Sequence, residues 1–364
     1  MFLSTSLLCQ DLLLQNDPVR DKLKQCFHAI YDSDTVAFPI AAAALAEEIP
    51  DHPANELLKA LSIYWAKYPL DLDGDELKNM KSLLGQAIDK CHDLLDINED
   101  DFEIKYVEMI CHAMLALSYN RDNQFFKAAA ESKKAYNYFR DGFDLMETYN
   151  EFYFSSGLYS YYREKYPEIY PIYRTIIWVF KDGDKEEGIR LMKLAVDKSV
   201  FARAEAAHYV GHILLRYELK PEEAIKYADL LRKEYPNNVF FRANYIENLL
   251  FLKRYEEAED QIKTFPDSDH AYYQMAKSVF SAMISENKFE YELAETLYNQ
   301  SLETAERGVS EEIDNLKSLA NSGLARLSLL LNDEQKAKAY YKAALKNTKF
   351  ELYQQEPREF LDLH

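Results

Sequence analysis

The fold class this sequence predicts is all-α, a right-handed superhelical array of antiparallel helix pairs, and three observations predict it. Apolar residues recur at three- and four-residue spacing through nearly the whole chain. The breaks between these stretches are short and polar. Gly and Pro number only 9 and 11 in 364 residues, so no linker-like segment divides the chain and one continuous array is the simplest organisation. Hydrophobic residues make up 48%, enough for a large core.

Residues 1–16 stand apart. MFLSTSLLCQD is apolar to Cys9 and polar from Gln10. This suits either the remnant of an export signal, whose basic start would lie upstream, or a frayed first helix. The reading leans to an exported chain, periplasmic or secreted, with a cytoplasmic one as the alternative. Asp17-Pro18 then sets an N-cap followed by proline at the first helical position, and Leu23, Phe27, Ile30 and Tyr31 follow at helical spacing. An alanine-rich helix over 35–48 ends at Ile49-Pro50. The helix over 53–68 carries Leu57, Leu58, Leu61, Tyr64 and Trp65 on one face, and the next runs from about Asp75 to Leu95. The run Asp71, Asp73, Asp75, Glu76 faintly resembles a calcium loop, but its twelfth position is Ser82, so it reads as an acidic helix start. Residues 17–100 thus form divergent N-terminal hairpins.

From residue 101 the spacing becomes regular. Ala116, Tyr119, Ala128 and Ala135 flank a polar turn at 120–124. Similar sets follow: Ala224, Ala228, Leu231 with Pro236; Ala243, Leu249, Tyr255, Ala258; Ala276, Phe280, Ala294, Tyr298; and Gly323, Ala325, Ala337, Tyr341, Ala344. Small residues stand where two helices cross, and aromatics fill holes against the neighbouring pair. These are the positions of a tetratricopeptide repeat, a helix–turn–helix unit with a period of about 34 residues. Residues 101–350 are read as such repeats, and 351–364 as a C-terminal capping helix that hides the apolar edge of the stack.

One repeat departs from the rule. Eight tyrosines fall between Tyr149 and Tyr173. A helix over 150–165 is expected to break at Tyr166-Pro167 and again at Tyr170-Pro171, because the residue before proline avoids helical geometry. An insertion at about 163–184 precedes a second helix over 185–198, with Gly188, Met192 and Ala195 at its packing positions. Tyrosine offers a large rigid surface with a polar tip. Tyr159, Tyr161, Tyr162, Tyr166, Tyr170, Tyr173 and Trp178 are therefore candidate partner-binding residues, against the alternative that they pack the insertion onto its neighbours. The succession GLYSYYREKYPE, YPIY, GDKEEGIRLMKLA and EAAHYVGHILLRYE resembles the tetratricopeptide family of eukaryotic inclusion-body-clearance proteins and its bacterial relatives, many of which carry export signals. The matching positions are Phe154, Gly157, Tyr161, Gly183, Gly188, Ala195, Ala206 and Tyr217, within about Tyr149 to Ala258. The resemblance implies an interaction protein with no known catalytic residues.

The chemistry-bearing candidates are few. A net charge of -19 opposes nucleic acid and anionic membranes and suits a basic or neutral polypeptide. No apolar run is long enough for a spanning helix. Cys9, Cys26, Cys91 and Cys111 show no C-x-x-C spacing and read as buried apolar residues. Glu205, His208 and His212 share a helix face fit for a divalent metal, although the base of an H-E-x-x-H motif is missing. No phosphate-binding or nucleophile-elbow motif occurs. Arg242, Asn244, Asn248, Asn321 and Arg326 could hold a peptide carboxylate, but their spacing does not repeat between units. The expectation is a non-enzymatic scaffold without cofactor. It would bind a protein or peptide in its concave groove and tyrosine-rich insertion. A metal-dependent protein and a self-associating scaffold are the alternatives.

Overall fold

The computed structural model describes residues 13–70, 72–171, 174 and 181–364. Among the described residues there are seventeen α-helices and no strand. They are α1 (Asp17–Tyr31), α2 (Ala37–Glu48), α3 (Ala54–Lys67), α4 (Gly74–Leu95), α5 (Phe102–Arg121), α6 (Phe125–Leu145), α7 (Phe152–Ile169), α8 (Lys185–Lys198) and α9 (Arg203–Arg216). There follow α10 (Pro221–Glu234), α11 (Val239–Phe251), α12 (Tyr255–Lys263), α13 (Ala271–Asn287), α14 (Tyr291–Thr304), α15 (Glu311–Leu330), α16 (Glu334–Asn347) and α17 (Glu351–Leu363). Successive helices pack as pairs, α1 on α2 through α15 on α16, and each pair packs on the next. The fold is thus an all-α, right-handed solenoid of the tetratricopeptide type.

The turns inside the pairs reveal the repeat. Ser33, Asn123, Leu219, Lys253, Phe289 and Asn332 all have positive φ, between 53° and 64°, and each lies between the two helices of a pair. There the chain leaves the first helix through a left-handed residue. The amides of Gln124, Arg254, Glu290 and Asp333 then reach back to the carbonyls of Tyr119, Leu249, Ser285 and Ser328, closing the helix end. The two pairs that lack this turn among the described residues are α3/α4 and α7/α8. Helix starts are capped locally. Asn16 caps α1, and Asp73 caps α4 in a reciprocal box with Glu76.

Pro167 does not break α7, which continues to Ile169. Proline there removes one donor within a turn of the helix end, and the Tyr170 amide still reaches the Tyr166 carbonyl at 2.7 Å. Helices α7 and α8 cross at two glycines. A Cβ added to Gly188 would stand 2.7 Å from the Gly157 carbonyl oxygen, and one on Gly157 would stand 2.7 Å from the Gly188 oxygen. The two backbones touch, as the small-residue pattern requires.

Long-range contacts curl the array. Tyr31 and Asp32, at the end of α1, receive the Asn238 and Asn237 side chains, while the Tyr273 hydroxyl donates to the Tyr68 carbonyl at 3.1 Å. Trp65 and Tyr68 set their rings against Phe241 and Phe240, with centroids 5.6 and 4.6 Å apart. The first two hairpins therefore lean on α9, α11 and α13 across the superhelix axis. At the other end, the segment after α16 turns inward, so that α17 meets α15, α16 and α9.

Candidate binding cleft on the concave face

Two neighbouring parts of the array stand out, a filled half and an open half. In the filled half the occupant is the chain itself. The Phe350 ring lies edge-on to His212 at 4.9 Å and to Tyr217 at 5.0 Å. Tyr353 donates its hydroxyl to Glu247. Beneath both, the Arg216 guanidinium pairs with Glu312 at 2.6 Å and Glu247 at 3.0 Å, and stands over the Phe350 and Tyr353 rings. All three charged groups are buried. Burial opposes the guanidinium's charge, yet the two carboxylates outweigh that effect and push Arg216 well above its ordinary value, so the cation is held between them.

The open half is a cleft of about 180 Å³ formed by α1, α3, α4, α5, α6, α7, α9 and the turn before α9. Its walls carry Tyr64, Ile110, Met114, Leu117, Phe154 and Tyr209, each partly or fully exposed, over a deeper layer of Phe27, Tyr106 and Phe201. Leu117, 57% exposed, stands at the rim. One carboxylate interrupts this apolar lining. Glu205 Oε1 accepts hydrogen bonds from Trp65 Nε1 at 3.1 Å and from the Tyr31 hydroxyl at 3.4 Å. Its Oε2 accepts none from the described residues. Burial pushes Glu205 up to about 7, against the lowering effect of those two donors.

The three residues of the alternative metal site, Glu205, His208 and His212, sit in different surroundings. Glu205 faces the cleft. His208 instead packs among Trp65, Tyr68, Phe240 and Phe241, and His212 packs against Phe350. Burial pushes His208 down to about 4, and His212 lower. Among the described residues no group of three or more His, Cys, Asp or Glu is placed to hold a metal ion. The carboxylate-holding set is also engaged elsewhere. Arg326 grips Glu286 and Glu356, Arg242 reaches Thr264 and the Gln261 carbonyl, and Asn248 and Asn321 bond back to their own helices.

The candidate tyrosines are spread between core and surface. Tyr161 is fully buried and donates to Glu218 at 2.7 Å. Tyr159 donates to the Lys181 carbonyl at 2.7 Å and lies beside Tyr136 and Phe143. Tyr162, Tyr166 and Tyr170 form a ladder along α7, with Tyr166 stacked on Tyr162 at 4.9 Å and Lys349 over the Tyr170 ring at 4.1 Å. Of these, Tyr166 is the exposed one. Tyr173, Trp178 and residues 1–12 of the segment 1–16, read as an export remnant or frayed helix, lie outside the described residues. Phe27, Tyr31, Leu61 and Tyr64 were legible in the sequence as apolar helix faces, but spacing along one helix could not show that they gather with α5 and Glu205 around one cleft.

Three facts about relatives complete the picture. No protein-family model matches this chain. No curated protein matches it either. Among solved structures, yeast Tom70 is similar at 13% identity over 96% of this chain and 80% of that one, with a TM-score of 0.39. IFIT1 with m7Gppp-AAAA is similar at 11% identity over 96% and 73%, with a TM-score of 0.37. The helical-pair architecture stands on the packing of this chain itself. No helix among the described residues is long and apolar enough to cross a membrane.

Proposed function

We propose that this protein is a non-catalytic binding scaffold that holds a polypeptide segment on its concave face, with apolar side chains of that segment seated in the cleft between α3, α5, α7 and α9. The observation that carries the reading is the cleft itself, whose partly exposed lining of Tyr64, Ile110, Met114, Leu117, Phe154 and Tyr209 gathers apolar surface in a concavity. Methionines Met80, Met109 and Met114 among these aromatics can re-pack around different anchors. The neighbouring half of the same face supports the reading, since it holds the chain's own Phe350 and Tyr353 by inserted aromatic rings. Tyr166, exposed on α7, is a further candidate contact for the segment. A few buried anchors would then carry most of the binding energy.

The test uses full-length protein and a pool of randomised heptapeptides. Peptides enriched on the wild type should be lost by Ala113→Trp, which puts an indole into the cleft, and kept by Lys78→Trp on the exposed side of α4. Equal capture by Ala113→Trp and wild type, with both variants fully helical by circular dichroism, would refute the cleft as the site.

A further inference from the structure

We infer that the cleft recognises a lysine side chain of its polypeptide partner, with the ammonium meeting Glu205 in the lining and the aliphatic stem lying against the aromatic walls. The inference rests on the binding reading above and adds the chemistry of the anchor. A purely apolar anchor would leave the Glu205 carboxylate facing hydrocarbon, which costs far more than burying apolar groups alone. A cationic anchor removes that cost. Four features converge on it.

The carboxylate is held in place rather than free to swing to solvent. Trp65 Nε1 and the Tyr31 hydroxyl, from two different helices, both donate to Oε1. Oε2 remains to accept, and Glu205 lines the cleft. Second, the approach to it is aromatic: Phe27, Tyr31, Tyr64, Tyr106, Phe154 and Tyr209 line the same cavity. Ring faces attract cations, and the long stem of a lysine packs on such walls while its head reaches a polar group. Third, one available oxygen suits an ammonium, a compact charge, better than a guanidinium, whose planar fork matches two oxygens at once. Fourth, the chain carries a net charge of -19, so a basic segment is drawn towards it. At the rim, exposed Leu117 offers apolar surface to residues flanking the lysine.

The same arrangement makes capture depend on pH. The titratable or charged groups lining the cleft with Glu205 are Tyr31 of α1, Tyr64 of α3, Tyr106 and Arg121 of α5, and Tyr209 of its own helix. Arg121 lies at the exposed rim over the Tyr64 ring, 5.7 Å from its centroid. The Tyr31, Tyr106 and Tyr209 phenols are pushed above their ordinary range by burial, and His208, behind the wall, is pushed down to about 4. Glu205, near 7, is thus the group among these that changes charge around neutrality. Because burial favours the protonated form of Glu205, an arriving ammonium favours release of that proton, and capture weakens as pH falls.

The experiment compares two heptapeptide pools on full-length protein, one with lysine and one with norleucine fixed at the centre, the other six positions being randomised. Norleucine keeps the stem and loses the charge. We expect the lysine pool to be captured at least ten-fold better at pH 8, with the preference shrinking at pH 6 and vanishing in Glu205→Gln, whose amide oxygen can still accept from Trp65 and Tyr31. An arginine-centred pool should fall between the two, and free n-butylammonium should compete weakly with the lysine pool. Equal capture of lysine and norleucine pools by the wild type overturns the lysine assignment and leaves the binding scaffold standing. A lysine preference that survives Glu205→Gln overturns it as well. Capture of neither pool, or capture unaffected by Ala113→Trp, overturns the scaffold reading and the lysine assignment together.

Discussion

Replacing Gly188 with alanine should destabilise the protein by about 2 kcal/mol, although the same change elsewhere on a helix stabilises. The new methyl would stand 2.7 Å from both the Gly157 carbonyl oxygen and the Tyr161 backbone nitrogen, where ordinary contact begins near 3.4 Å. Both obstacles are backbone atoms of α7, so no rotamer change relieves the clash. The helices must part by several tenths of an ångström along a crossing that also buries Tyr161 and Met192. Overpacking of this kind costs ~1–3 kcal/mol, here near the top of that range, and alanine's better helix propensity returns ~1 kcal/mol. Gly85, within α4, is the control, because a Cβ there meets nothing within 4 Å. Gly85→Ala should stabilise by up to ~1 kcal/mol through propensity alone. Adding Gly157→Ala to Gly188→Ala should cost less than the sum of the two singles, since one separation of the helices serves both methyls. Urea unfolding followed by circular dichroism reads the midpoints. A Gly188→Ala midpoint at or above the wild type's, or an equal loss in Gly85→Ala, would show that α7 and α8 do not touch at these glycines.

Three other outcomes follow from the structure. Phe289, 76% exposed and held at a φ of 64°, carries the penalty of a left-handed residue, so Phe289→Gly should raise stability by about 0.5–1 kcal/mol in the same urea assay. Arg216→Leu leaves Glu247 and Glu312 buried without their cation and should cost roughly 3–5 kcal/mol. It should also open the C-terminal segment, seen as faster limited proteolysis near Lys349. Glu205 and Glu151 are both pushed from 4.5 to about 7 by burial, so each holds a proton in the folded chain that the unfolded chain has lost. Stability should therefore fall as pH rises from about 4.5 to 7 and level off above, by up to ~1.4 kcal/mol per pH unit per group. Glu205→Gln should remove its share of that slope, and an unchanged slope would count against the buried state of this carboxylate.

Local rules carried far in this sequence, and they stopped at definite places. Apolar periodicity and caps placed the helices to within a few residues, since both depend on neighbours three or four positions apart. The small-residue crossings at Gly157, Gly188 and Gly323 were legible for the same reason, because close helix approach leaves room for nothing larger. Pro167 was misread as a break. The rule against proline describes a helix interior, and α7 has only two residues left after it.

What sequence spacing alone determined was therefore an all-α array of paired helices, with its turns and its one irregular repeat. Only the tertiary structure decided which surface is open. Tyr31 and Trp65 reach Glu205 from 174 and 140 positions away, fixing a helix-face carboxylate in the lining of a cleft. Tyr161 went into the core, and Phe350 and Tyr353 came back from the C-terminus to fill half of the concave face. Such placements depend on how far the superhelix curls before its ends meet, a sum of many small inter-pair rotations that no short stretch of residues encodes.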